Sequence, residues 1–174
     1  VGSTSHLNYL DLKRETKTLE SLALYGGTNF ILTGLGEAEL VRGAIITPDF
    51  FRAFKATPIM GREFTNEEDL RRGRKVLGIR HGFWKVRLGS RPDVIGTTIE
   101  VSGRPTVIVG VAPPGFDFPD KARLWTPMQN DDAACGRGCI YTDGIGRLKD
   151  GVTAEQARQE LAALAATLEK QFPN

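Results

Sequence analysis

The run VIGTTIEVSGRPTVIVGVAPPGFDF, residues 94–118, decides the fold. Thr97 to Val101 alternates toward and away from a core, Ser102-Gly103 is a tight turn, and Thr106 to Val111 returns as a second strand. Pro113-Pro114-Gly115 ends the hairpin. Upstream, Lys75 to Ile79 reads as a short strand and residues 81–88 as a helical turn or two around Trp84. Residues 55–75 are mostly irregular, with a short acidic helix expected near 66–71. Downstream, Leu124-Trp125-Thr126 is a short strand, 129–139 a polar loop, and Tyr141 to Lys149 a strand weakened by Gly144 and Gly146.

Helices are expected at both ends. Leu12, Thr16, Leu19 and Ala23 recur at helical spacing, which predicts a helix over 5–24 with Ser5 as its cap and Gly26-Gly27 as its stop. Asn29 to Thr33 and Glu39 to Thr47 follow as strands joined at Gly34-Leu35-Gly36, and Pro48 opens a short helix through Phe50, Phe51 and Phe54. In the last helix Thr153 and Gln156 make a capping box. Its apolar stripe is Ala157, Leu161, Leu164, Ala165, Leu168 and Phe172, read as core packing. Strands and helices mix without a regular βαβα rhythm, which predicts an α+β fold.

Composition narrows the function. With 23 basic and 21 acidic residues in 174, the net charge is +2, and no clustered basic face marks a nucleic-acid binder. The one basic run, Arg71-Arg72-Gly73-Arg74-Lys75, follows Glu67, Glu68 and Asp69 and reads as a solvated loop. No stretch approaches the roughly 20 apolar residues of a membrane-spanning helix. The chain starts at Val1 rather than Met and carries no signal peptide, so it is expected to be a fragment of a longer protein. Cys135 and Cys139 flank Gly136-Arg137-Gly138; they are either a local disulfide or two free thiols, and a structural metal would want more ligands than this loop supplies. A disulfide would imply an oxidising compartment.

No catalytic constellation emerges. There is no phosphate-cradling Gly-x-x-x-x-Gly-Lys-Ser/Thr, no His-Glu-x-x-His and no Gly-x-Ser-x-Gly. The pairs Asp117/Asp120 and Asp131/Asp132 read as exposed loop acids, and His81 as a structural histidine at a helix start. No catalytic residue, metal ligand or cofactor site is therefore assigned. Phe50, Phe51, Phe54, Trp84, Phe116 and Trp125 are expected to be mostly core.

Order and spacing carry a resemblance. Trp84, Leu88-Gly89, Val94-Ile95-Gly96, Ile99 to Gly103, Val107 to Val111 and Pro113 to Phe118 together resemble the MacB-like periplasmic core domain of ABC transporter permeases. Asn8 to Asp11, Leu19 to Ala23, Val41-Arg42-Gly43, Phe50-Phe51, Gly61 to Phe64, Arg147 to Lys149 and Gly151 to Ala157 are similar to flanking parts of that family, so the likeness spans nearly the whole chain. Its flavour is that of the long orphan permeases of soil acidobacteria. Arg80, where a small polar residue is common, and the Cys135/Cys139 loop depart from the pattern.

The resemblance implies a porter-like βαβ subdomain, placed at 1–55 and 129–174, with a smaller inserted α+β subdomain at 56–128 containing the hairpin. It implies a periplasmic site on the bacterial inner membrane, between the first and second membrane helices of a parent permease. The expected partners are those helices, a separate or fused cytoplasmic ATPase, and a second copy of the domain or an adaptor protein. Exposed sheet edges able to pair between copies are expected too. The implied role couples ATP-driven helix motion to export or partner handling, without catalysis. The rival readings are an extracytoplasmic ligand- or adaptor-binding module with a deep apolar pocket, and an enzyme built around His81 or the aspartates.

Overall fold

The computed structural model describes residues 2–173. In chain order it runs β1 (Ser3–Thr4), α1 (His6–Glu15), β2 (Leu19–Thr33), β3 (Glu39–Ile46), α2 (Phe50–Ala53), β4 (Met60–Gly61) and β5 (Val76–Ile79). Then come α3 (His81–Arg87), β6 (Thr98–Val101), β7 (Arg104–Val111), β8 (Leu124–Pro127), α4 (Asp132–Cys135), β9 (Thr142–Leu148) and α5 (Ala154–Gln171). The fold is α+β.

Among the described residues the strands form one nine-stranded sheet, ordered β1-β9-β2-β3-β8-β5-β7-β4, with β6 pairing β2 and β7. The expected hairpin is β6–β7, turning at Ser102-Gly103 with Val101 opposite Arg104. Both turn residues have positive φ, 49° and 76°, the geometry of the type I′ turn that matches strand twist. The parallel β3–β8 ladder, Gly43 opposite Leu124 to Ile46 opposite Pro127, joins the β2–β3 hairpin to the middle of the chain.

The first helix departs from its expected length. It ends at Glu15, and Leu19 to Leu24 extend instead as the start of β2, bonded to β9 on one edge. The apolar spacing that suggested a longer helix is satisfied by burial of Leu19, Leu22, Ala23 and Leu24 in a strand covered on both faces. The Lys17 and Thr18 amides, which a continuing helix would have turned inward, donate to the Glu160 carboxylate. Gly26-Gly27 accordingly stops no helix and lies inside β2, opposite Ile45 and Ala44.

Residues 66–71 also differ from expectation, forming successive turns rather than a helix. Glu68 is drawn back to the Arg62 guanidinium, at 2.7 and 2.9 Å, and to the Thr65 amide, at 3.0 Å. The polar 129–139 loop contains the short α4, capped by the Asp131 side chain on the Ala134 amide.

Three apolar clusters fill the body. Phe50, Phe51 and Trp125 centre the first, with Tyr25, Phe54, Phe116 and Phe118 packed on it. Leu77, Ile79, Phe83, Val94 and Ile108 make the second under the β6–β7 hairpin. Tyr9, Leu12, Leu22, Leu24 and Ala157 make the third, where Leu161, Leu164 and Leu168 of α5 close over α1 and β2. The sheet ends in β1 and β4, two residues each, and β1 covers only Thr142 and Asp143 of β9, which pairs with β2 on its other edge.

Candidate functional site

The two ends of the described chain meet. β1 pairs with the start of β9, Ser3 opposite Asp143 and Thr4 opposite Thr142. The last turn of α5 comes back to the same place, so that Ser3, Thr4, Leu168 and Phe172 line one cavity of about 530 Å3. Arg137 forms part of its wall and ties the ends together. Its guanidinium donates to Asn8 Oδ1 at 2.7 Å and lies 2.7 Å from Asp11 Oδ2, both on α1. It also sits 3.7 Å above the Phe172 ring centre, a cation–π contact with the end of α5. Burial works against the Asp11 carboxylate, but hydrogen bonds from Arg137 and Arg14 outweigh it and hold the pKa below the ordinary aspartate range. Arg137 is presented by the loop that Cys135 and Cys139 close, their sulfurs joined and their Cα atoms 5.4 Å apart.

One α5 turn from Ala157, Glu160 fastens the other side of the junction. It accepts from the Thr16 hydroxyl at 2.8 Å, from the Lys17 and Thr18 amides at 2.9 and 3.1 Å, and from the Thr18 hydroxyl. Burial would raise its pKa; these bonds outweigh burial and lower it from 4.5 to about 2. A depressed folded-state pKa means the stabilisation is complete above pH 4.5 and is lost as pH falls toward about 2. Glu160→Gln should therefore flatten part of the acid limb of stability between those limits. At neutral pH it should cost about 1 kcal/mol, a figure kept small by solvent screening at the partly exposed carboxylate. Urea unfolding across a pH series checks this; an unchanged acid limb in the variant would show that Glu160 does not carry it.

The acids and histidines considered for chemistry are dispersed. His81 packs against Trp84 with the rings tilted at 56° and their centres 5.5 Å apart. Asp117 faces Arg80 at 3.5 Å, Asp131 pairs with Arg71 at 2.7 Å, and Asp132 meets His6 Nδ1 at 2.8 Å. The backbone carbonyl of Asp120 accepts from Arg42. Asp117 and Asp131 each face an arginine, on different parts of the fold. Among the described residues no three His, Cys, Asp or Glu gather to hold a metal, and no helix is long and apolar enough to cross a membrane.

Sequence reading passed over Arg137 and Glu160. Arg137 stood out only as the centre of a Gly-flanked tripeptide. Glu160 carried a usable signal, an acid bordering the Ala157/Leu161/Leu164 stripe, where a solvated charge would sit further round the helix.

The architecture is that of the extracytoplasmic domains of ABC-type permeases. It superposes on the periplasmic region of MacB from Actinobacillus actinomycetemcomitans with a TM-score of 0.75 at 16% identity, covering 98% of this chain and 76% of that one. The extracellular domain of the ABC-type transporter YknZ from Gram-positive bacteria gives 0.71 at 15% identity, covering 97% and 84%. The family model for the MacB-like periplasmic core domain matches residues 3–164, and the chain belongs to that family. No curated protein sequence matches it.

Proposed function

We propose that this domain does no bond-making and passes ATP-driven motion of a permease's membrane helices to its extracytoplasmic side as a rigid-body shift. The observation that carries the reading is the meeting of residues 3–4 with Leu168 and Phe172 around Arg137. A body tethered through both ends to neighbouring membrane helices needs those ends close together and firmly joined to its core. Ion pairs, a cation–π contact and the Glu160 bonds supply the joint; the continuous sheet supplies stiffness. The family supports a place on the outer face of the inner membrane, with membrane helices and a cytoplasmic ATPase, separate or fused, as partners. A second copy or an adaptor protein is the further partner this reading expects, and export its direction.

The division into 1–55 with 129–174 and an insert at 56–128 belongs to the same proposal. The third apolar cluster lends it partial support, being drawn from residues 9–24, 45 and 148–168 with Met128 alone from the insert, whereas the first cluster and the β3–β8 ladder join the two parts. The Cys135–Cys139 link fits an oxidising compartment.

The test is made in the full permease with its ATPase. Arg137→Ala should leave ATP hydrolysis largely intact and lower transport severalfold, because the motion is no longer handed on. Equal loss of both activities, or of neither, contradicts the proposal.

A further inference from the structure

Away from the chain ends, a cavity of about 400 Å3 opens between β2, the β6–β7 hairpin and the adjoining ends of β5 and β8. That is within the range of small-molecule sites. Lys75 and Arg104 both line it, and no carboxylate does. Among the described residues neither cation has an ion-pair partner. The two acids that flank Gln129 are engaged elsewhere, Glu68 by Arg62 and Asp69 by the Gln129 main-chain amide at 3.0 Å.

Lys75 is held rather than neutralised. The Gln129 side-chain amide donates to the carbonyls of Glu68 at 2.7 Å and Gly73 at 3.1 Å, which fixes its orientation and aims Oε1 at the Lys75 ammonium. A neutral acceptor positions the cation and leaves its charge uncompensated. Burial first, and then the neighbouring Arg104 charge, push Lys75 below the ordinary lysine range. Two like charges facing one cavity repel until an anion joins them. Thr28 and Thr126 border the same space, while the partly buried Phe30 gives it an apolar side.

We propose that this cavity binds a small organic oxyanion, a carboxylate or phosphate on a short apolar body, between Lys75 and Arg104. The charged head lies between the ammonium and the guanidinium, where charge-assisted hydrogen bonds are strongest. The apolar body lies against Phe30. This assignment is independent of the coupling role.

The 174-residue chain is titrated with phenyl phosphate and followed by amide NMR. Saturable shifts are expected at Val76, Ser102 and Thr106, which line the cavity. Lys75→Met and Arg104→Gln should each weaken binding at least about tenfold. Arg72→Gln, an exposed cation outside the cavity, should leave affinity unchanged. Inorganic phosphate should bind more weakly, and benzyl alcohol not measurably. Dispersed amide spectra establish that each variant is folded; Arg104 is exposed, so its replacement leaves the core untouched. The proposal is overturned by non-saturating shifts, by equal affinity for inorganic phosphate or benzyl alcohol, by equal weakening in Arg72→Gln, or by binding seen only with phosphatidylglycerol vesicles.

Discussion

Phe50→Ala is expected to lower the free energy of unfolding by about 3–5 kcal/mol, the range for emptying a buried aromatic site. Phe50 is fully buried. Its ring centre lies 5.6 Å from Phe51, 5.2 Å from Phe54, 5.9 Å from Tyr25, and 6.2 and 6.1 Å from Phe116 and Phe118. These rings come from β2, from α2 with the turn after it, and from the segment after β7, so one truncation loosens three parts of the chain. The neighbours are bulky and held in contact with one another and with Trp125, which limits their collapse into the space. Val86→Ala on α3 is the control: Val86 is 85% exposed, and its truncation should change stability by no more than about 0.5 kcal/mol. Denaturant unfolding with the disulfide intact compares the two; a loss below about 1 kcal/mol at Phe50 would mean that this cluster is not the packed centre.

Gly43→Ala should cost about 2–3 kcal/mol from overpacking. A Cβ on Gly43 would stand 2.5 Å from the Leu124 carbonyl oxygen and 2.5 Å from the Phe30 ring. The carbonyl is main chain in the β3–β8 ladder and cannot swing aside, so the parallel pairing itself must open. Gly146→Ala makes the contrast, because its nearest neighbour is the tip of the Leu19 side chain at 2.9 Å, which can turn away at smaller cost. Hydrogen exchange should then quicken in β3 and β8 of Gly43→Ala and stay slow in β6–β7. Unchanged exchange and stability at Gly43 would contradict the close β3–β8 approach.

Local signals reached most of the elements. The 97–111 hairpin was legible because alternation, a two-residue turn and a proline stop agree, and the capping box with its stripe marked α5 for the same reason. Leu19 to Ala23 misled because a short apolar run suits a helix face or a buried strand equally, and the choice fell to partners far along the chain. β9 and Glu160, more than a hundred residues away, hold that segment extended, and nothing local to it announces them. The same limit hid the junction of the ends. Arg137, Asp11 and Phe172 are unremarkable separately, and only the pairing of β1 with β9 and the return of α5 bring them together. The partners of the loop acids, such as Arg71 for Asp131, were not legible either.

The central claim is that the domain moves as one stiff body. Spin labels at Val86 and Arg158, both exposed, report the domain's own dimensions, and a third in a membrane helix of the full permease reports its position. Pulsed electron–electron distances are compared with and without ATP. The Val86–Arg158 distance should stay within about 2 Å while the distance from Val86 to the membrane label shifts by more than that. A Val86–Arg158 distance that changes with ATP while the domain keeps its place over the membrane would contradict the account.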